Sequence, residues 1–122
     1  DSAAKAAALS NVLLDARITP QQVDRVGIGE LTTEQLLKLK SEGKTVVQVT
    51  RASVAKDGGM SITVRPETLP EGDLLATLHD TSNLILFHTD LMGTAGTVAV
   101  SPGVEQTAYG IFSDLVDIAR TI

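Results

Sequence analysis

The amino-acid sequence predicts an α+β fold, in which a mixed, mainly antiparallel sheet of about four strands is covered by helices. Apolar residues recur at helical spacing near both ends of the chain, and segments rich in Val and Thr separate these two regions. The 122 residues are 43% apolar and 20% charged, a balance that supports a packed core and excludes wholesale disorder. Helices followed by strands and a closing helix are typical of α+β proteins.

The first third of the chain predicts three helices. The first spans about residues 2–16, and the second is a short helix after Thr19, which is followed by a proline and then by a glutamine at the capping-box position. The third begins at Thr32 or Thr33 and ends at Gly43. The first helix is expected to bury an apolar stripe made of Ala8, Leu9, Val12, Leu13 and Ala16.

The middle of the chain predicts two paired strands. Residues 44–55 and 60–65 are rich in Val and Thr, and an Asp-Gly-Gly turn lies between them. Pro66 and Pro70 are expected to end this pairing, because proline has no N–H to donate to a ladder.

Two further strands and a closing helix complete the predicted domain, which spans residues 1–122. The strands cover residues 83–89, with apolar side chains buried on both faces, and residues 94–100. The helix begins at about Glu105. Its predicted apolar face consists of Ala108, Ile111, Phe112, Leu115, Ala119 and Ile122.

The composition excludes several classes of function. Cysteine is absent, which excludes disulfides, thiolate metal sites and cysteine nucleophiles. The net charge is −5, and the aromatic residues are two Phe and one Tyr, so nucleic acid is not expected as a partner. No apolar run has the length of a membrane helix, so no membrane association is expected either.

Lys5 is the first candidate for chemistry. It shares a predicted helix face with Leu9 and Val12, so its stem is expected to turn toward the core while its ammonium lies near a helix N-terminus. Burial and the helix dipole both disfavour a charged amine, which favours a role in proton transfer. Asp1 lies four residues earlier and opposes this effect. An ordinary i,i+4 ion pair is the alternative interpretation.

The turn at residues 101–104 is the second candidate. A strand, a glycine-containing turn and a helix N-terminus can present free amides to a carboxamide or an anion. Gly103 has no Cβ to block the approach of a ligand. The segment lacks the Gly-x-Gly-x-x-Gly pattern of dinucleotide-binding turns, so a purely structural turn is the alternative.

The remaining polar residues indicate no further site. His79 and His88 have no neighbours at metal-ligand spacing, so no metal site is predicted. Acidic residues between the strands lie in turn-like settings where they are common. No nucleophile elbow and no P-loop are present in the sequence.

Several segments, taken in order, resemble a known enzyme family. They are Asp1-Ser-Ala-Ala-Lys5 at the start of a helix, Thr19-Pro20 leading into Val23-Asp24-Arg25-Val26-Gly27-Ile28, Leu31-Thr32, Ser82-Asn83-Leu84-Ile85, and Thr107-Ala108-Tyr109-Gly110 with Asp114-Leu115. Together they are similar to the C-terminal part of the catalytic domain of homoserine dehydrogenase, whose signature ends in Asp-x-x-x-Lys.

The resemblance implies a fold like the C-terminal domain of glyceraldehyde-3-phosphate dehydrogenase. It also implies interconversion of L-homoserine and L-aspartate 4-semialdehyde with NAD or NADP, in threonine and methionine biosynthesis. In that family the residue that matches Lys5 donates or accepts the proton at the substrate oxygen. The residue that matches Asp1 contacts the amino-acid substrate, and the one that matches Gly103 lies beside the nicotinamide.

The resemblance further implies a homodimer and a cytoplasmic location. The family's nucleotide-binding domain is not among these 122 residues, so the chain alone is expected to be inactive. Two functions remain open from the sequence. The chain is either part of a homoserine dehydrogenase or a non-catalytic, stand-alone module of the same fold that dimerises or binds a small molecule.

Overall fold

The computed structural model describes residues 1–29 and 31–122, which form two compact units. Unit 1 comprises Asp1–Ala76 and unit 2 comprises Thr77–Ile122. Unit 1 contains two helices and a three-stranded sheet, and unit 2 contains a two-stranded sheet and one helix. The predicted mixture of helices and strands is therefore confirmed.

Unit 1 begins with helix α1, Ser2–Leu14. This helix ends two residues before the predicted boundary, because Asp15 adopts the left-handed conformation with φ of 51° and so interrupts the helical backbone. The predicted second helix is a single 3-10 turn, Pro20–Gln22. The Thr19 N–H donates to Gln22 Oε1 at 2.8 Å, as the capping-box pattern predicts.

Helix α2 covers Thr33–Ser41, with Thr32 as its N-cap. The Gln35 N–H donates to Thr32 Oγ1 at 3.2 Å, and the Thr32 N–H donates to Gln35 Oε1 at 2.9 Å. This reciprocal arrangement satisfies two backbone donors that the first turn of a helix leaves free. Gly43 follows with φ of 67°, a conformation that glycine adopts at low cost. Both predicted boundaries of this helix are confirmed.

The sheet of unit 1 is mixed. Strand β1 is Asp24–Arg25, β2 is Lys44–Val54 and β3 is Met60–Pro70. The strand order is β1-β3-β2, with β1 parallel to β3 and β2 antiparallel to β3. The predicted hairpin between β2 and β3 is thus confirmed, and the two-residue strand β1 adds the parallel pairing.

The expectation that two prolines end the hairpin is wrong. Strand β3 continues through Pro66, opposite Gln48, to Pro70. The Val64 carbonyl accepts a hydrogen bond from the Val26 N–H on the β1 side. Backbone groups alternate in direction along a strand, so Pro66 and Pro70 point the same way as Val64, away from β2. Neither proline therefore lies where the ladder with β2 needs a donor.

The core of unit 1 lies between α1 and the sheet, but on a different side of α1 from the predicted one. Small residues at helical spacing face the sheet, while Leu9, Val12 and Leu13 are exposed. Residues without bulky side chains let the helix backbone come close to the strands. The core cluster consists of Ala3, Ala6, Ala7, Val23 and Val64, with Ile18 and Ile62 packed against it.

Unit 2 contains the predicted second hairpin. Strand β4 is Asn83–Thr89, strand β5 is Gly93–Ala99, and they are antiparallel. Helix α3 covers Val104–Thr121. The expected single sheet of about four strands is not observed among the described residues, because each hairpin forms its own sheet. The sequence pattern predicts the strands but does not determine which hairpins share a ladder.

No residue of unit 2, all of which is described, is buried. The expectation that β4 is buried on both faces is therefore wrong: Leu84, Ile85 and Leu86 are half-buried, and Phe87 is 38% exposed. The apolar face of α3 is predicted correctly as a pattern, but its side chains are also exposed. An apolar stripe indicates which side of a helix is available for packing, and it does not by itself place a partner there.

Candidate functional site

The two residues that the sequence singles out at the start of α1 are in direct contact. The Lys5 ammonium forms an ion pair with the Asp1 carboxylate, with Nζ 2.9 Å from Oδ2. A spacing of four residues places the two side chains on the same side of the helix. Asp1 is the N-cap residue of α1, yet its side chain accepts no capping hydrogen bond. Its carboxylate is thus engaged by Lys5 rather than by the backbone.

Lys5 does not turn toward the core, so the expected burial of its stem is wrong. Its side chain is 67% exposed. The face of α1 that packs against the sheet is made of Ala3, Ala6 and Ala7, and Lys5 lies outside it. In this chain the geometry is that of an ordinary i,i+4 ion pair, which stabilises a helix by only about 0.3 kcal/mol.

A cleft with a volume of about 330 Å³ begins at Asp1. This volume lies at the lower end of the range of small-ligand sites. Within the cleft wall, the Gln48 side-chain amide donates to the Val26 carbonyl at 3.4 Å. The lining residues are Asp1, Ser2, Ala3, Arg25, Val26, Gly27, Gln48 and Val64.

Arg25 and Gln48 are cleft residues that the sequence does not single out as site residues. They are far apart in the chain, and both come near Asp1 because β1 and β2 flank the same strand, β3. The parallel pairing of β1 with β3 covers only two residues of each strand, which is too short for a recognisable strand pattern in the sequence. The one available signal was that Arg25 belongs to a segment of the family resemblance.

Gly103, the third predicted site residue, belongs to unit 2 and is the N-cap of α3. Its N–H donates to Gln106 Oε1 at 2.7 Å. The preceding turn is held by Ser101, whose N–H donates to Ser82 Oγ at 3.0 Å. The expectation of free amides at this turn is therefore wrong at Gly103, because a side chain of the same helix already takes up its N–H.

The surroundings of Gly103 consist of flexible side-chain ends. A Cβ added at this position would be 2.7 Å from Glu105 Oε2 and 3.4 Å from Gln106 Oε1. Neither atom belongs to the backbone, so a ligand can approach the Gly103 Cα once the Glu105 side chain rotates. The Glu105 carboxylate thus lies at the side of Gly103 where a Cβ would be.

The ion pair with the clearest effect on titration lies elsewhere in unit 1. Arg51 Nε is 2.7 Å from Glu67 Oε1, and Arg51 Nη2 is 2.6 Å from Glu67 Oε2. These two hydrogen bonds lower the pKa of Glu67 and raise that of Arg51. Lys44 lowers the pKa of Glu42 in the same way. Both pairs join residues outside the cleft.

Residues 1–29 and 31–122 contain neither a candidate metal site nor a candidate membrane helix. No group of three or more His, Cys, Asp or Glu side chains could hold a metal ion there. Within the same residues, no helix has the length and apolar character needed to cross a membrane. His88 is exposed, and its Nδ1 lies 3.0 Å from Thr94 Oγ1 across the β4–β5 pair.

Comparison with known proteins identifies the family. The sequence profile of homoserine dehydrogenases matches residues 1–116, which include both Asp1 and Lys5 as well as Gly103. This chain belongs to the homoserine dehydrogenase family. The resemblance found in the sequence is thereby confirmed.

Individual relatives agree with this assignment. The NAD(+)-dependent homoserine dehydrogenase of Pseudomonas canavaninivorans is 28% identical over 117 residues, covering 96% of this chain and 33% of the relative. The homoserine dehydrogenase of Methanocaldococcus jannaschii is 31% identical over 118 residues, covering 97% and 33%. The chain thus spans about a third of the length of these curated relatives.

Solved structures agree as well. The crystal structure of a homoserine dehydrogenase from Thiobacillus denitrificans is similar to this chain with a TM-score of 0.84 and 27% identity. The similarity covers 98% of this chain and 27% of that structure. The fold of the chain is therefore the fold of a homoserine dehydrogenase segment.

Proposed function

We propose that this chain is the substrate-binding and proton-transferring part of a homoserine dehydrogenase, which interconverts L-homoserine and L-aspartate 4-semialdehyde with NAD or NADP. The Asp1–Lys5 ion pair carries this proposal. Its 2.9 Å contact holds the Lys5 ammonium against a carboxylate that borders the cleft. Family membership over residues 1–116 supports the reaction, and the alternative of a non-catalytic module has no comparable support.

Lys5 has the chemistry that the reduction of an aldehyde requires. As the carbonyl carbon of the semialdehyde gains a hydride, its oxygen gains negative charge and then a proton. A positioned ammonium stabilises that charge and donates the proton, leaving a neutral amine and the alcohol. In the oxidation direction the amine accepts the hydroxyl proton as the hydride leaves. Lys5 is therefore proposed as the general acid and general base.

Asp1 is proposed to contact the amino-acid substrate. Its side chain is 80% exposed and borders the cleft. An exposed carboxylate offers hydrogen-bond acceptors both to Lys5 and to the ammonium or hydroxyl group of the substrate. Asp1 also orients the Lys5 side chain, because its carboxylate holds Nζ at 2.9 Å.

The cofactor is proposed to lie beside Gly103 and to be held mainly by a nucleotide-binding domain. When bound, NAD or NADP supplies the chemistry of hydride transfer. Within this chain, Gly103 has no Cβ, and its Cα becomes accessible to the nicotinamide when the Glu105 side chain rotates. Gln106 fixes the turn by accepting a hydrogen bond from the Gly103 N–H at 2.7 Å. Because the chain has no dinucleotide-binding turn of its own, we expect it to be inactive without that domain.

The proposal also includes the finer features that the family resemblance implies. These are a fold like the C-terminal domain of glyceraldehyde-3-phosphate dehydrogenase, a homodimer, a cytoplasmic location, and a place in threonine and methionine biosynthesis. The mixed sheet of unit 1 with α1 packed on it supports the first of them.

Replacement of Lys5 tests the proposed chemistry in the full-length enzyme that the proposal requires. We expect Lys5→Met to lower kcat for homoserine oxidation by about 10²- to 10⁴-fold, the usual contribution of a general acid or base. Lys5→Arg keeps the positive charge but does not give up a proton, so it should be almost as impaired. Lys40→Met on α2 is the matched control, since Lys40 is also exposed.

The fold must survive these substitutions. Lys5 is 67% exposed, so we expect its replacement to change the free energy of unfolding by less than about 0.5 kcal/mol. This is measured by urea denaturation of the same preparations. Full activity of Lys5→Met would disprove the proposed role, and full activity of Lys5→Arg would show that Lys5 acts through its charge alone.

A further inference from the structure

The carboxylate of Glu105 occupies the space beside Gly103. Its Oε2 lies 2.7 Å from the position that a Cβ of residue 103 would take, and its Cδ lies 3.9 Å from the same point. Glu105 is exposed and belongs to the first turn of α3. A group that approaches Gly103 on this side therefore meets a negative charge before it meets the backbone.

Unit 2 has no lysine or arginine close enough to Glu105 to neutralise its charge. The unit contains five acidic residues and one arginine, with no lysine. That arginine, Arg120, is in the last turn of α3, roughly 22 Å along the helix axis from Glu105 at about 1.5 Å per helical residue. No ion pair forms at Glu105 among the described residues. Within unit 2, the Glu105 carboxylate therefore has no cationic partner and lies beside the Gly103 turn.

A nicotinamide ring responds to such a field in only one of its two redox states. The ring is cationic when oxidised and neutral when reduced, so an adjacent carboxylate attracts the oxidised form and leaves the reduced form almost unaffected. We propose that Glu105 is a specificity-determining residue that makes the site bind the oxidised nicotinamide cofactor more tightly than the reduced one. This inference rests on the proposed function, which places the nicotinamide beside Gly103.

The expected size of the effect is that of two exposed charges in contact. Two unit charges about 4 Å apart in a largely aqueous setting attract each other enough to change a dissociation constant about fivefold. The effect should decrease as salt is raised, because ions screen exposed charges over about 10 Å at 0.1 M. Substitution of Glu105 should therefore weaken binding of the oxidised cofactor, and it should do so most strongly at low ionic strength.

The test measures dissociation constants of oxidised and reduced NAD and NADP by calorimetry, using the full-length enzyme without substrate. We expect Glu105→Gln to raise the Kd of the oxidised form about fivefold and to leave the Kd of the reduced form unchanged. Glu105→Asp, which keeps the charge, should restore most of the preference. Asp114→Asn on the same helix is the matched control, because it removes an equal charge farther from Gly103.

The outcomes distinguish failure of the inference about Glu105 from failure of the proposed function. If both cofactor forms bind and Glu105→Gln alters their Kd values equally or not at all, the inference about Glu105 is overturned while the proposed function stands. If Asp114→Asn has the same effect as Glu105→Gln, the preference depends on net charge and the inference is again overturned. If neither form binds to the unsubstituted enzyme, the proposed function and the inference both fail.

Discussion

Seven apolar residues are buried among the described residues of unit 1, whereas unit 2 buries none, although helices of both units contain several large apolar residues. In unit 1 four of the buried residues are alanines, and α1 packs against the sheet through three of them. In unit 2 the large apolar residues of α3, such as Phe112 and Leu115, remain exposed. In these two units, small residues at helical spacing indicate the packed face of a helix better than large apolar residues do.

Enlarging one alanine in each unit tests this difference in helix packing and has the largest expected effect. Ala6 is 2% exposed and faces the sheet, so Ala6→Leu forces α1 away from β3. We expect a loss of about 3 kcal/mol in the free energy of unfolding, the upper end for overpacking. Ala108 is exposed on α3, and Ala108→Leu should stay within about 0.5 kcal/mol.

The free energy of unfolding of both alanine variants is measured by urea denaturation. A midpoint for Ala6→Leu equal to that of the unsubstituted chain would mean that α1 is not packed closely against the sheet. A large loss for Ala108→Leu would mean that the face of α3 around it is covered.

Two glycines of unit 2 test whether close backbone contacts stabilise its hairpin in place of a buried core. A Cβ at Gly96 would be 2.7 Å from the Ile85 carbonyl oxygen and 2.8 Å from Leu86 Cδ2. Gly96→Ala must therefore shift β4 or β5, at a cost of about 2 kcal/mol. Gly110 on α3 has open space around it, so Gly110→Ala should instead stabilise by about 0.5–1 kcal/mol.

Amide hydrogen exchange of β4 and β5 locates the effect of the glycine substitutions. Faster exchange in this hairpin is expected for Gly96→Ala and not for Gly110→Ala. Equal protection in the two variants would contradict the close approach of the strands at Gly96.

The smallest expected effect concerns pH and the sheet of unit 1. Arg51 lowers the pKa of Glu67 in the folded state, so this pair stabilises the fold above the unfolded pKa of Glu, about 4.3. That contribution is lost as the pH falls through the lower, folded pKa. Because the Arg51 side chain is 54% exposed, the contribution is at most about 1 kcal/mol.

Glu67→Gln isolates this contribution. At pH 7 the variant should be less stable than the unsubstituted chain by up to about 1 kcal/mol, and the difference should diminish as the pH falls below the unfolded pKa of Glu, about 4.3. Urea midpoints across this range measure it. A difference that stays constant with pH would assign the effect to packing rather than to ionisation.

Local signals in the sequence predicted most of the elements. The caps at Thr19 and Thr32, the stop at Gly43 and both hairpins depend on neighbouring residues, so they can be predicted without knowledge of the tertiary fold. What could not be predicted depends on distant contacts. The packed side of α1 is set by its approach to Val64, and the pairing of β1 with β3 joins segments nearly forty residues apart.

In the candidate site, too, features set by neighbouring residues could be predicted and features set by distant contacts could not. The i,i+4 spacing of Asp1 and Lys5 predicted their contact, which is observed at 2.9 Å. The exposure of Lys5 was not predicted, because it depends on which face of α1 packs. The Glu105 carboxylate beside Gly103 was not predicted either, since side-chain positions around a turn follow from its backbone geometry.

The direction of the two prolines in β3 has a consequence for how this sheet meets other chains. Strand β1 covers only two residues of β3, and no other strand of the described residues pairs with the rest of that edge. Beyond Val64, the backbone positions that face this edge are 66, 68 and 70, and of these Thr68 is the only one with an N–H to donate. An incoming strand would leave two of its carbonyls unpaired, so the edge resists sheet extension and the aggregation that follows from it.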